Sequence, residues 1–321
     1  MKKGIKISLI IASVLVVFGL AIFITVLAVN DFSYKKLNGR DDSENKEKIL
    51  TEDFNLIKIS ADVTDIVLIK TNDPTGKIIY QERKRLTYEI NVVNDTLKIR
   101  EVNTKKWHFF TNLLFEKEKM EIYLPKDTYD SLVITTAVGN IEIPKEFNFN
   151  VVNIDTETGK IQLFADAKDI TIQTETGSVK LKNLNADNIN IETSTGIYNL
   201  ENINATNQIR LKSSTGYFTL KDVNCDSLRI NTSTGRMNLT NVIATNSFNF
   251  NASTGRVIFD GCDAGEIYIK TSTGSVTGTL LTSKIFYATT ENGKVDVPRT
   301  TTGGICEIQT DTGNISIRIV D

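Results

Sequence analysis

The chain has 321 residues and a formal net charge of −2, from 37 basic and 39 acidic side chains. This balance leaves no basic footprint for a nucleic acid. Three cysteines spread along the sequence exclude a disulfide framework or a zinc ribbon, and a single histidine leaves little material for histidine-based catalysis. We therefore expect no cofactor, no metal site and no nucleic-acid partner.

The N-terminus predicts a membrane anchor. A short leader, residues 1–6, carries three lysines and precedes an uncharged apolar run over residues 7–29, long enough to cross a bilayer as a helix. The basic leader is expected on the cytoplasmic side, which places the rest of the chain outside the cell. This predicts a single-pass protein of the cell membrane; cleavage at Val26-Leu27-Ala28 is the alternative to a retained anchor.

Residues 30–49 are dense in charges of both signs and are predicted to form an extracytoplasmic linker. Residues 50–138 alternate like strands but without a regular repeat, so they form either irregular early coils or a β cap on the repeats that follow.

One segment of this region is aromatic. Trp107, Phe109, Phe110 and Phe115 lie between charged flanks. The segment is interpreted either as a lid over the N-terminal core or as an exposed hydrophobic tip that contacts a membrane interface or a protein partner.

From residue 139 to 321 the sequence repeats every 18 to 20 residues around a glycine. Apolar residues two apart flank each glycine, as in Val179 and Leu181, which is the pattern of strands with one buried face. Ten such units without a long insertion predict a solenoid. The glycines assigned to structural corners are Gly159, Gly177, Gly196, Gly216, Gly235, Gly255, Gly274, Gly293 and Gly313.

Two further columns contain asparagine, aspartate or glycine, six residues after each glycine and nine residues before the next one. These residues adopt positive φ most readily, so the sequence predicts three corners per coil. The predicted fold class is all-β: a single-stranded, right-handed, three-sided parallel β-helix with about 19–20 residues per coil, preceded by one transmembrane helix.

The residue two before each glycine is predicted to face outward. This column is acidic at its start and serine-rich in its middle: Glu157, Glu175, Ser194, Ser214, Ser233, Ser253 and Ser272. It is interpreted as a hydroxylated ridge for a cell-wall glycan, as acid pairs for Ca²⁺, or as ordinary solvent-exposed residues beside a tight bend. The last coil lacks a capping helix, which predicts self-association through an open C-terminal coil.

The anchor, the "IYLP" step at 122–125 and the serial "TxTGxVxL" units resemble the bacterial putative-adhesin β-strand-repeat family, which includes LiaG-like membrane-anchored proteins of Gram-positive bacteria. The resemblance implies an extracytoplasmic β-helix, sometimes linked with envelope-stress operons, without agreed catalytic residues.

We therefore expect a non-catalytic scaffold or interaction protein of the bacterial cell envelope, with a protein or a cell-wall glycan as partner. The alternative is an accessory or sensor protein of an envelope-stress response that acts through a membrane partner. Coils of 18 to 20 residues leave no room for the long loops that form an enzymatic cleft, so no catalytic residue is assigned.

Overall fold

The computed structural model describes residues 3–29, 44–82, 86–103 and 118–320. The helix α1 covers Lys3–Val29. Counting only the positions whose side chains are described, no helix is long and apolar enough to span a membrane. The strands are β1 (Glu44–Leu50), β2 (Leu56–Lys70), β3 (Gly76–Glu82), β4 (Leu86–Val93), β5 (Thr96–Asn103), β6 (Glu118–Leu124), β7 (Thr128–Val138), β8 (Ile141–Ile143), β9 (Asn148–Leu163), β10 (Asp166–Ala205), β11 (Gln208–Thr254), β12 (Val257–Thr273), β13 (Val276–Leu280), β14 (Lys284–Asn292), β15 (Val295–Asp296), β16 (Gly304–Thr312) and β17 (Ile315–Ile319).

The strands from β9 to β12 wind as a solenoid, because each pairs in parallel with the strand one coil later. Gly159 of β9 pairs with Gly177 of β10, and Gly196 of β10 pairs with Gly216 of β11. The apolar columns lie inside the coils, where Val179 is 0% exposed. The predicted β fold and its repeat are thus confirmed, while the handedness of the coils stays a prediction.

The corners differ from the sequence prediction in their cause. The column six residues after the glycine has positive φ, from 52° at Asn241 to 61° at Gly261. The prediction of positive φ at the other two columns is wrong. Among the described residues of the glycine column only Gly313 has φ between +20° and +160°, and none in the column that includes Asp187 and Gly265 does.

The glycine column is instead required by the close approach of neighbouring coils. A Cβ atom on Gly159 would lie 1.9 Å from the carbonyl oxygen of Gly139, and one on Gly274 would lie 1.7 Å from that of Gly255. Real Cβ atoms essentially never come this close to another atom. Glycine therefore allows these coils to approach each other closely at this corner, whereas a Cβ atom on Gly196 or Gly216 would first meet side chains of its own coil.

The region 50–138 contains both early coils and a cap. Ile57 of β2 pairs with Leu97 of β5 on one side and with Leu132 of β7 on the other, so β2 lies between two coils. The outermost coil, β5 and β6, is covered by β3, which runs antiparallel to β6 with Ile78 opposite Ile122. β1 pairs with β3, so the last six residues of the predicted linker, 44–49, lie in a strand.

The C-terminal coils also stack in an order that differs from the chain order. Ile308 of β16 pairs with Ile269 of β12 on one side and with Ala288 of β14 on the other. Likewise Ile315 of β17 pairs with residues of both β13 and β15. The prediction that the last coil is open is therefore wrong, because β16 and the first two residues of β17 have partners on both sides and the outermost coil consists of β14 and β15.

A buried ion pair ties this outermost coil to the interior. Lys284 Nζ, at the start of β14, lies 2.7 Å from Asp263 Oδ1 in β12, and the two side chains are 4% and 15% exposed. The same Nζ donates a hydrogen bond to Thr282 Oγ1. Since β16 lies between β14 and β12, the pair spans the inserted strand and fixes the order of the coils.

We predict that Gly274→Ala destabilises the full-length protein by more than about 2 kcal/mol, because the new methyl group forces two coils apart. Ser272→Ala, in the exposed column beside it, is the matched control and is expected to change stability by less than about 0.5 kcal/mol. Thermal unfolding followed by circular dichroism measures both. Equal midpoints for the two variants would contradict the role assigned to the glycine column.

We also predict that Asp263→Asn costs about 3 kcal/mol of stability, because it leaves the Lys284 ammonium group buried without its counter-charge. The control is Asp296→Asn, which breaks the exposed pair between Asp296 and Arg318 and is expected to have little effect. Urea unfolding of the two variants gives the comparison. A Lys284→Met/Asp263→Leu variant that recovers stability supports burial as the cause, and no recovery argues against it.

Candidate interaction surface

The ladder corner, defined as the residues from four before to one after each repeated glycine, carries the outward column that the sequence predicted. Seven side chains of this column are exposed: Glu157, Glu175, Ser194, Ser214, Ser233, Ser253 and Ser272. In-register pairing, with Thr193 opposite Ser213, places them one above another on successive coils. The structure therefore brings these residues into one line.

A shallow groove of about 480 Å³ runs along this line, and we call it the serine groove. Its wall and rim are formed by Glu192, Ser194, Lys212, Ser214, Asn231, Ser233, Asn251, Ser253, Lys270 and Ser272. All five predicted serines line it, whereas Glu157 and Glu175 do not. The rim offers hydroxyl, amide, ammonium and carboxylate groups within a single surface, which suits a ligand rich in hydrogen-bonding groups.

Part of the floor of the serine groove consists of buried hydroxyl groups that are bonded to one another. Thr193 Oγ1 lies 3.0 Å from Ser213 Oγ on the next coil, and the Tyr198 hydroxyl donates to Thr193 Oγ1 at 3.0 Å. Burial raises the pKa of Tyr198 to about 12, so its hydroxyl keeps its proton. The bonding does not continue along the whole column, since the Oγ1 atoms of Thr156 and Thr174 have no hydrogen-bond partner within the described residues.

The rim is held in place by contacts between coils. Lys212 Nζ contacts Glu192 Oε1 at 2.5 Å, and Asn251 Nδ2 donates to Asn231 Oδ1 at 3.3 Å. Lys270 adds a second cation to the groove. These partners are exposed, so a ligand can replace them at a small electrostatic cost.

A second groove lies on the other side of the glycines, and we call it the glycine groove. It has a volume of about 650 Å³ and is lined by Thr176, Gly177, Thr195, Gly196, Ile197, Thr215, Gly216, Tyr217, Thr234, Gly235, Arg236, Thr254 and Gly255. Ile197 and Tyr217 are paired neighbours on adjacent coils and are 54% and 40% exposed. The Tyr217 hydroxyl accepts a hydrogen bond from Asn238 Nδ2 at 2.6 Å, which orients the ring.

Sequence reasoning missed Ile197 and Tyr217. They follow the repeated glycine directly, at a position that holds Lys160, Ser178 and Arg236 in other coils. The available signal was the presence of large apolar residues at a position that is polar in other coils. Side chains at an outward position of a strand do not pack in the core, so large apolar residues there call for another explanation.

A buried acidic cluster lies at the outermost N-terminal coil. Glu118 is 4% exposed, and Glu101 Oε2 accepts a hydrogen bond from the backbone N–H of Asp62 at 2.7 Å. Beside them the Thr64 and Tyr88 hydroxyl groups are 2.8 Å apart. Burial raises the pKa of Glu101 to about 7, and the nearby charges of Asp62 and Glu118 act in the same direction.

The predicted aromatic residues Trp107, Phe109, Phe110 and Phe115 lie outside the described residues. The segment that holds them joins β5 to β6, between Arg100, which pairs with Ser60, and Glu118, which pairs with Thr64. The lid and the tip both stay predictions.

The described residues contain no cluster of three or more histidine, cysteine, aspartate or glutamate side chains that could hold a metal ion. The three cysteines are buried and unpaired, and burial raises the pKa of Cys225 and of Cys306 to about 12. Thiols with such pKa values are inert at neutral pH.

Parallel coils, a close-packed glycine column and an outward polar ladder define a β-solenoid repeat protein whose exposed surface is built by repetition. The sequence matches the Toastrack DUF4097 family over residues 54–211 and 204–321. These matches cover most of the chain, which therefore belongs to that family.

Three crystal structures are similar to this chain at a low level. A putative adhesin from Bacteroides fragilis is 15% identical, with 88% of this chain and 98% of that chain covered and a TM-score of 0.42. A putative adhesin from Parabacteroides distasonis is 13% identical, with 87% and 98% covered and a TM-score of 0.45. A putative cell adhesion protein from Clostridium sporogenes is 11% identical, with 86% and 100% covered and a TM-score of 0.20. Similarity at this level carries no argument about the ligand, and no curated protein sequence matches this chain.

We predict that the acidic cluster makes stability depend on pH. The pKa of Glu101 lies above its ordinary value of 4.5 in the folded chain, so proton binding stabilises the folded state. This stabilisation is complete below about pH 4.5 and is lost as the pH rises through about 7. Glu101→Gln should therefore unfold at a higher temperature than the unmodified protein at pH 8, with a much smaller difference at pH 4.5.

The control for this prediction is Glu146→Gln, which changes an exposed glutamate. It should follow the pH dependence of the unmodified protein. If Glu101→Gln retains the same loss of stability between pH 5 and 8, another group is responsible.

Proposed function

We propose that this chain is a membrane-anchored, non-catalytic interaction protein of the bacterial cell envelope, and that its solenoid binds a cell-wall glycan along the ladder corner. The observation that carries the proposal is the pair of grooves that follow the glycine column across several successive coils. Such a surface suits an extended polymer, since each coil repeats the contacts of the coil before it.

The chemistry of the two grooves favours a glycan over other polymers. The serine groove offers hydroxyl and amide groups that exchange hydrogen bonds with sugar hydroxyls. The glycine groove exposes the Tyr217 ring and the Ile197 side chain, which suit the apolar face of a sugar ring. Polar and apolar surfaces on either side of one ridge thus match the two kinds of surface that a saccharide presents.

The anchor supports the location in the proposal. The helix Lys3–Val29 begins with two lysines and carries no charged residue after Lys6. We propose that it crosses the cell membrane with its N-terminus in the cytoplasm, which places the solenoid, right-handed and three-sided, outside. The accessory or sensor role depends on the aromatic segment around Trp107 and stays a prediction.

The proposal predicts that Tyr217→Ala weakens binding of the full-length protein to purified cell-wall peptidoglycan about tenfold, because it removes the exposed ring. Ser214→Arg should weaken binding as well by filling the serine groove. Co-sedimentation with insoluble peptidoglycan measures the bound fraction. Val93→Ala is the control, since Val93 is an exposed apolar residue, 43% accessible, outside both grooves. Equal binding by all three variants would rule out the two grooves as the binding site, and no binding by the unmodified protein would rule out the glycan as ligand.

A further inference from the structure

The two ends of the solenoid are closed differently. At the N-terminal end, β3 runs antiparallel along the outer edge of β6, and β4 precedes β5 through a two-residue turn with positive φ at Asn94 and Asp95. At the C-terminal end, β14 pairs with β16 along its length, and no other described strand is in register with β14. The outer edge of β14 therefore presents backbone N–H and C=O groups that lack a strand partner within the described residues.

Burial shows that the core is also open at this end. The inward positions of β16 are closed, with Cys306 and Ile308 at 0% exposure. Their partners on β14, Phe286 and Ala288, are only half-buried. Five large apolar side chains around this coil are exposed: Leu281 44%, Tyr287 59%, Val295 44%, Ile305 37% and Val320 47%. An apolar rim around an open strand edge is typical of a surface that is covered in the assembled protein.

The two ends also limit how copies of the chain can pair. A head-to-tail stack needs a free edge on the outer N-terminal coil, but β3 already occupies the edge of β6. A contact between two C-terminal ends meets no such obstacle. Its charges are balanced in number, because the exposed acids Glu291 and Asp296 are matched by the cations Lys294 and Arg318, and Asp296 forms an ion pair with Arg318.

We infer that β14 pairs antiparallel with β14 of a second copy about a two-fold axis at Ala288. In this register Phe286 of one copy lies opposite Thr290 of the other, so the inward faces of both coils meet and cover the open core. Tyr287 lies opposite Thr289 on the outward face. The contact is isologous and closes as a dimer, which leaves no edge for further growth.

The test uses the full-length protein in a mild detergent, with sedimentation velocity over a range of concentrations. The unmodified protein should form dimers as its concentration rises. Tyr287→Lys/Thr289→Lys places lysines opposite lysines in both cross-strand pairs and should raise the dissociation constant about tenfold or more. Both positions are exposed, so circular dichroism should show an unchanged fold.

The chain supplies a control of the same chemistry. Tyr217→Lys/Thr219→Lys changes the same Tyr-X-Thr pattern on another coil, where Tyr217 lines the glycine groove, and should weaken glycan binding while leaving the dimer intact. The register is tested with Tyr287→Cys/Thr289→Cys, which should form disulfide-linked dimers under mild oxidation. The corresponding Tyr217→Cys/Thr219→Cys should not.

Monomers at every concentration, or dimers that Tyr287→Lys/Thr289→Lys leaves unchanged, would overturn the inference and assign this edge to a different partner or to none. Absence of disulfide-linked dimers from Tyr287→Cys/Thr289→Cys would overturn the register. The glycan proposal is judged separately by the Tyr217 variants, so failure of one leaves the other standing.

Discussion

The close approach of glycine to glycine between successive coils is the constraint on which the rest of this solenoid depends. At the ladder corner a Cβ on Gly255 would lie 2.0 Å from the carbonyl oxygen of Gly235, so only hydrogen is accommodated there. Parallel strands lie about 4.8 Å apart elsewhere in the coil, and the glycines allow the corner to keep that spacing. Every other column is aligned by this contact, because a shift of one residue would move the apolar columns to the surface.

Alignment then determines what each column can hold. The threonine column lies at the edge of the core, where Thr193 is 3% exposed and bonds Ser213 on the next coil. The column six residues after the glycine turns the chain and stacks its amides, as where Asn202 Nδ2 donates to Asn183 Oδ1 at 3.0 Å. The two outward columns beside the glycine hold serines on one side and Ile197 and Tyr217 on the other, and these exposed side chains do not fill the core.

The sequence was sufficient for the parts of the fold that repeat. Apolar spacing placed Val179 and Leu181 in the core, and parity placed Ser194 outside, because both follow from the alternation of a strand. The cause of the glycine column was missed, since a conformational and a steric need for glycine leave the same letter in the sequence. The order of the coils at the ends was missed for a different reason. Ile308 satisfies the apolar pattern equally well beside Ile269 or as the outermost strand, and only the pairing of whole strands decides between them.

At both ends of the solenoid the coils stack in an order that differs from the chain order, and one physical requirement explains both cases. A strand at the end of a solenoid exposes both its backbone edge and the core beneath it. Such a strand is buried only when another strand packs outside it. At the N-terminal end the outer coil, formed by β5 and β6, is itself covered by β3. The exposed edge of β6 is thus paired by a strand of the same chain. At the C-terminal end the outer coil is held by β16, β17 and the ion pair of Lys284 with Asp263, and none of the described strands is in register with the outer edge of β14. The ladder corner and the open coil therefore differ in origin. Stacking of equivalent residues on successive coils forms the ladder corner, whereas the open coil, β14 and β15, is exposed because no further coil stacks on it.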